Sequence, residues 1–427
     1  MLFRFRTSFR RAVWLSLFTS LMLLLLAVSR PPAAAGPDSA QATVGRWSAP
    51  QQLANSAYGP IIRSAPNGAL LVIYGQATMS TNSQINPYYR MLPASGGSWT
   101  AAAPIRISAD NFSQVTAEFD SSSKAHAVWR SDHAVFHAQQ DQWATSQFVT
   151  VFDNGGYRVF DPDLAIGSDN VLHVVATLQD QTVTRPENIH HAYSTNNGIS
   201  WTRTKLTTNS DQSKSPAVAV DANGNIHVVW EEWRIEGDDY DYEIYHRTGT
   251  KSGGSYNWNM AQVISGSVLN ARQPALLAQG NTLHLTFTNL VSDSEQYVYY
   301  LRRPAGSTTW TAPVDITGAA PLAVNTNAPF YLVSNMAICQ GNLHTFYYGS
   351  PMFDTNEQVY LQQRQTTVWQ SRELVTDSSA RRVRPSAVCH NNALHLVYEE
   401  IVIPNVNHQI YFTAALEQLY LPIIVRN

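Results

Sequence analysis

The chain has 427 residues, 44% of them apolar, 11% aromatic and only 14% charged, with 28 basic against 31 acidic side chains. Low charge together with 11 Trp and 20 Tyr suits an all-β protein rather than a helical one. A formal charge of −3 with no basic stripe lacks the electrostatic footprint of a nucleic-acid binder, so none is expected as a partner.

Residues 1–35 read as a signal peptide. Arg4, Arg6, Arg10 and Arg11 precede an apolar run from Ala12 to Val28, and Ala33-Ala34-Ala35 offers a cleavage site before Gly36. The alternative is an uncleaved anchor, because about 17 residues is near the lower limit for crossing a bilayer. The expectation is a secreted or cell-surface protein, membrane-bound only if the leader stays. The leader carries five arginines and no acid, which leaves 23 basic and 31 acidic residues downstream, a formal −8.

After the leader one pattern returns: a Pro, an apolar stretch, a Gly or Asn turn, then Leu/Ile-His-apolar-apolar-aromatic. The first copy, Pro60 to Tyr74, lacks the His; the second keeps Ala125-His126-Ala-Val-Trp129. Fuller copies follow at Pro162 with His173, Pro216 with His227, Pro274 with His284, Pro329 with His344 and Pro385 with His395. Seven copies at steps of 47 to 60 residues fit one four-stranded propeller blade each. A third strand alternates aromatics, as in Ile189-His-His-Ala-Tyr193, and a fourth carries a Trp: Trp99, Trp143, Trp201, Trp258, Trp310 and Trp369. Repeated Trp at one blade position points to packing between neighbouring sheets. The seventh copy has no fourth strand, while Gly45-Arg46-Trp47 to Leu53 reads as a fourth strand with no blade before it. The expected architecture is therefore a propeller over residues 36–415 whose last blade is closed by the N-terminal strand, with a tail at 416–427. The recurrent His falls once per blade, so the six cannot converge on a metal, and a structural role at the strand start is expected.

In a blade of this topology the residues before each Pro and the loops after each second strand share one face, where a ligand would meet the channel. Those positions hold Arg130, Asp161, Glu231, Glu232, Arg234, Arg272, Arg384, Glu399 and Glu400. Arg grips carboxylates and aromatic rings cover sugar faces, so a sugar or an acidic ligand fits this set; ion pairing between blades around a wet channel is the plain alternative. The acidic stretch 236–243 offers Asp238, Asp239 and Asp241 as oxygen ligands for Ca²⁺, although without an EF-hand spacing a solvated loop is the simpler reading, and no cofactor is expected. Cys339 and Cys389 stand before comparable turns in neighbouring repeats, and export permits a bridge if their Cα atoms come close enough. There is no nucleophile elbow, P-loop, dinucleotide fingerprint or zinc spacing.

The turn Ser194-Thr-Asn196-Asn-Gly198-Ile-Ser-Trp201 resembles the Asp-box of the sialidase-like (BNR repeat) propellers, with Asn196 where that motif has Asp. The resemblance implies a propeller throughout the mature chain. It also implies a catalytic set of three Arg, a Tyr–Glu pair and an Asp. The family's first Arg precedes an Ile-Pro opening the first blade; here that place reads Tyr58-Gly59-Pro60, and Arg63 is displaced along the strand. Sialidases have six blades, so six is the alternative to the seven counted. Glycan recognition by a monomer is the first functional expectation. An exo-acting glycosidase of sialidase type and a structural or protein-binding propeller are the alternatives.

Overall fold

The computed structural model describes residues 41–42, 46–77, 84–107, 113–145, 147–182, 186–208, 212–236, 239–292, 295–317, 322–323, 335–351, 357–377, 379–403 and 407–416. Residues 1–40, where the expected signal peptide falls, those beyond Leu416 and Pro329 of the sixth repeat lie outside the described residues. Blade 3 shows the plan: Val159–Ile166, Leu172–Gln179, Glu187–Ser194 and Thr202–Lys205 pair antiparallel in chain order. The seven first strands are Ala57–Ser64, Ser113–Phe119, Val159–Ile166, Gln212–Val220, Ala271–Gln279, Asn335–Cys339 and Arg381–His390. Each contacts the next, and the last contacts the first. The ring therefore has seven blades, not six. In Leu172–Gln179 every residue but the last is buried, because a middle strand has a neighbouring blade on both faces.

The blades are joined by a repeated ring contact. In six of the seven blades one aromatic residue of the third strand meets, edge to face, the Trp of the following blade. The pairs are Tyr89–Trp143, His137–Trp201, His191–Trp258, His246–Trp310, Tyr300–Trp369 and Phe412–Trp99, with centroids 4.6 to 5.5 Å apart. In blade 6 the equivalent position is Leu361, and Trp47 reaches Phe346 of the second strand instead, at 6.3 Å. The repeated His supports this contact from inside the blade. His126, His173 and His227 stack on His137, His191 and His246 at 5.2 to 5.4 Å, and His284 and His395 pack on Tyr300 and Phe412. In blades 2 and 4 the His also holds the turn that precedes it. Asp120 and Asp221 each accept two backbone amides of that turn, and their other oxygen meets His126 or His227 at 3.4 or 3.2 Å. The structural reading of the His repeat thus has a physical basis: in blades 2 and 4 a buried ring holds the turn on one edge and, on its face, the third-strand ring that meets the Trp of the next blade.

The N-terminal segment closes the ring as expected. Gln51–Asn55 pairs antiparallel with Asn407–Ala414 as the fourth strand of blade 7. It also does more than expected. Gln41–Ala42 runs parallel beside Glu373–Leu374 of blade 6, and Glu373 takes both Arg46 Nη1 at 2.6 Å and Trp47 Nε1 at 3.0 Å. The cysteines add a second tie across the same two blades: Cys339 and Cys389 are bridged, with Cα atoms 5.1 Å apart. Their places are one residue out of step, since Cys339 faces Asn342 and Cys389 faces Leu394.

The Asp-box-like turn lies on the face opposite the second-strand exits. Gly198 N donates to Ser194 Oγ at 2.9 Å, Ser200 N to Asn196 Oδ1 at 3.0 Å, and Trp201 Nε1 to Gly198 O at 3.1 Å. Asn supplies the acceptor oxygen here as Asp would. Gly198 has φ +81°, and a Cβ there would fall 2.0 Å from the His137 ring of the preceding blade. The turn therefore seats the interblade stack.

Two outcomes follow from this scaffold. Cys339→Ser with Cys389→Ser is expected to cost about 2–4 kcal/mol, the usual range for a bridge closing a loop of this length; equal melting of the bridged and double-Ser forms would contradict that. Burial pushes His137 and His173 down to about 3, and His284, His344 and His395 down to about 4. These rings stay neutral in the folded chain while the unfolded chain protonates them near pH 6.5. They contribute nothing to the pH dependence above that value, and stability is lost as pH falls from about 6.5 towards 4. Urea midpoints at pH 7 and pH 5 check this, and equal midpoints would refute it.

Candidate functional site

The mouth of the channel is built from a distortion repeated on the inner strands. The register of the first strand slips at Tyr58/Ile61, Ser113/Val115, Phe160/Asp163, Lys214/Ala217, Arg272/Ala275 and Val383/Ser386. At each slip one residue is left-handed: Gly59, Gln114, Asp161, Ser215, Gln273 and Arg384, with φ between +49° and +56°. Five of the six precede a proline. Proline has no N–H to place in the ladder, so it suits a bulge, and this is what the recurrent Pro of the sequence marks. A left-handed non-glycine residue costs roughly 1–2 kcal/mol, so each must be held by its surroundings.

Side chains of the preceding blade hold them. Gly59 N donates to Glu399 Oε2 at 2.9 Å, Gln273 N to Glu231 Oε2 at 2.7 Å, and Asp161 N to Gln114 Oε1 at 2.9 Å. The Asp161 carboxylate in turn takes the amide of Ser215. A few residues further along, Ile62 N donates to Ser386 Oγ, Val218 N to Asp163 Oδ2 and Ala387 N to Asn335 Oδ1. The carboxylates expected to face a ligand therefore also fasten one blade to the next.

Around these latches the expected residues fall into two groups. Between blades 2 and 5 lie Arg130, Asp161, Glu231 and Arg272, joined by Lys214. Arg130 Nη1 donates to Val159 O at 2.9 Å, and Lys214 pairs with Glu187 at 3.1 Å. The Arg272 guanidinium lies 3.6 Å over the Tyr242 ring, a cation–π placement that keeps the planar group flat. Burial raises Asp161 against its Gln114 bond and the Arg130 charge. Burial raises Glu231 as well, and the neighbouring Asp161 carboxylate adds to the rise. Glu232 points to the other side of its strand, where Ser213 Oγ and Trp230 Nε1 donate to it at 3.1 and 3.0 Å.

The second group lies where blade 7 meets blade 1. The Glu399 side chain is fully buried and accepts Arg384 Nη1 at 2.6 Å, His408 Nδ1 at 2.5 Å and Gly59 N. Burial alone would raise its carboxyl, but Arg384, the His408 bond and the Gly59 amide hold it below the ordinary value. Tyr58 packs on His408 with ring centroids 4.5 Å apart; burial and the Glu399 charge raise its hydroxyl. Glu400 accepts Arg382 Nε at 2.9 Å, and Glu357 accepts both arms of Arg381. Tyr58, His408, Lys214 and Gln114 were not singled out as site residues from the sequence. Their only local signal is position: Tyr58, Lys214 and Gln114 sit at the bulges, and His408 opens a third strand at the same level.

Arg63, displaced from the sialidase position, lies in the channel and pairs with Glu118 of blade 2. Beside them Asp163 is pushed up to about 6, by burial first, with Arg63 opposing and Glu118 assisting. Its proton uptake on acidification offsets part of the histidine cost. The side chains of Arg234 and Asp239, and all of Asp238, lie outside the described residues. Asp241 Oδ1 accepts the amides of Tyr242 and Asn270 at 2.7 and 2.6 Å. Among the described residues no His, Cys, Asp and Glu cluster is arranged to hold a metal.

No protein-family description matches the chain, and no curated protein matches it either. Among solved structures, an ulvan lyase of polysaccharide lyase family 25, bound to a glucuronate–sulfated rhamnose unit, aligns with TM-score 0.55 and 11% identity over 84% of this chain and 94% of that one. A Dyadobacter fermentans protein of unknown function aligns at 0.49 and 10%, over 86% and 99%. The Trypanosoma rangeli sialidase in complex with the inhibitor DANA aligns at 0.45 and 12%, over 85% of this chain and 55% of that one, so the chain spans about half the length of that sialidase. The likeness is one of fold, a β-propeller, and fold by itself assigns no activity.

The latch assignment has a direct check. Glu231→Ala should leave the Gln273 amide unpaired beside a strained bulge and cost about 1–3 kcal/mol, while Glu231→Gln, which keeps an acceptor, costs less. Equal melting temperatures for Glu231→Ala and the parent chain would show that the carboxylate holds nothing.

Proposed function

We propose that the protein is an exported propeller that recognises an acidic glycan at this mouth. The observation that carries the reading is the set of arginines fixed around it. Arg130 is held by the Val159 carbonyl, Arg272 by the Tyr242 face and Arg384 by Glu399, at three different blade junctions. Guanidinium groups held in place lose little freedom on gripping carboxylate or sulfate, and Tyr58 and Tyr242 offer faces for sugar rings. The glucuronate–sulfated rhamnose unit bound by the ulvan lyase is a ligand of the same charge on a related fold. Three arginines at separate junctions favour an extended polyanion over a single clamped carboxylate.

Calorimetric titration with acidic and neutral polysaccharides tests the reading. Acidic chains are expected to bind with an affinity that falls as salt rises. Arg272→Ala should weaken binding about tenfold or more, the loss of one hydrogen bond to a charged group. Equal binding of neutral glycans, or no binding of any glycan, would contradict it and leave a structural or protein-binding propeller.

A further inference from the structure

We propose that the wall of the mouth is notched at blade 2, that an acidic glycan leaves the mouth through this notch, and that Arg130 and Arg158, both set on the Phe160 ring, form a subsite there for a carboxylate or sulfate group of the departing chain. The inference rests on the acidic-glycan reading above and adds to it a direction and a further binding residue.

The notch follows from strand lengths. Each second strand ends at the mouth, and its run past the bulge of its partner sets the height of the wall. On blade 4 Glu231 stands opposite Lys214 at the slip, and the strand runs on to Glu236. On blade 5 it runs from Thr288, opposite Arg272, to Ser292, and on blade 7 from Glu399, opposite Val383, to Ile403. Blades 1 and 3 run only from Gly75 to Ala77 and from Thr177 to Gln179. On blade 2 Arg130 stands opposite Ser113 at the slip and is itself the last residue of the strand. Each further residue adds about 3.3 Å of strand. Among the blades with a described bulge, the wall is therefore lowest at blade 2 and high across the ring from it. A chain too long for the mouth meets least obstruction there.

The notch is floored by a fixed segment that carries positive charge. The turn between blades 2 and 3 is tied to the blade 2 hairpin: Asn154 N donates to His133 O at 2.9 Å and Val159 N to Asp132 O at 3.0 Å. It is tied to blade 3 by Gln179 N on Arg158 O at 3.0 Å and by Asn154 Nδ2 on Gln179 O at 2.8 Å. The backbone under Arg158 is thus held from both sides, while its side chain is exposed and, among the described residues, meets no acceptor. The Arg158 and Arg130 guanidinium carbons lie 5.3 and 5.4 Å from the Phe160 ring centroid. A shared aromatic face brings two like charges close together. Burial lowers Arg130, the Asp161 and Asp132 charges oppose the shift, and Arg158 adds to it. Asp161 is already committed to Gln114 and to the Ser215 amide. Folding gains nothing from setting two cations side by side, whereas an anion between them relieves the repulsion and finds two planar donors already oriented.

Calorimetric titration of the full chain with two oligomer series, from dimer to octamer, tests the proposal. Oligogalacturonates carry carboxylates alone, and oligomers of sulfated galactan carry sulfates alone. Affinity is expected to rise with length in at least one series, which identifies the group that the subsite takes. Arg158→Ala should remove most of that rise, about tenfold on the octamer, the loss of one hydrogen bond to a charged group. Phe160→Leu, which removes the ring under both guanidiniums, should weaken the octamer about two- to fivefold. Arg158 is exposed, and unchanged circular dichroism and melting would show that its variant folds. Affinity that does not rise with length, an octamer bound equally by Arg158→Ala and the parent chain, or a loss equal for dimer and octamer would overturn the exit at blade 2. Each of these leaves the glycan reading standing if Arg272→Ala still weakens binding; no binding of any acidic oligomer would remove both.

Discussion

The contact on which the fold depends is an aromatic ring of one blade meeting the Trp edge of the next. It recurs at six blade boundaries, and Trp47 on Phe346 stands in for it at the seventh. A blade has an apolar middle strand that cannot be buried alone, so neighbouring sheets must supply both walls. Each such pair contributes about 0.5–1.5 kcal/mol beyond the area it buries, and the gain repeats around the ring. Neutral histidines serve because a flat ring with a polar edge can stack and, in blades 2 and 4, still hold the turn behind it.

The ring imposes a second constraint nearer the axis. Inner strands crowd as they approach the channel, and each described one but that of blade 6 relieves this with a left-handed bulge at the same level. The bulges need acceptors from the adjacent blade, and the mouth carboxylates supply them. The polar mouth is thus first a structural device. Around the latches stand the arginines and the Tyr58 and Tyr242 rings on which the proposed glycan binding rests.

The blade count, the closing strand and the packing role of Trp were legible in the sequence because each is a local pattern repeated. The recurrent Pro was visible too, but the bulge it marks depends on cross-strand register, which no single strand displays. The mouth residues were found as a collection of charges, without their partners. Glu399 and Gly59 are 340 positions apart, and nothing around either one shows that they meet. His408 was missed for the same reason: locally it is one polar residue in an alternating strand, and its meaning comes from Tyr58 at the other end of the chain. The parallel strand at Gln41–Ala42 is too short to leave a pattern at all.

The interblade ring contact is the claim to test first, and His191 with Trp258 is the pair to use, since the two meet at 5.1 Å with an interplanar angle of 69°. A double-mutant cycle in urea unfolding with His191→Ala and Trp258→Ala should give a coupling of about 0.5–1.5 kcal/mol. Losses that add to within about 0.3 kcal/mol would mean that the two rings act independently, and the account of how the blades are joined would be wrong.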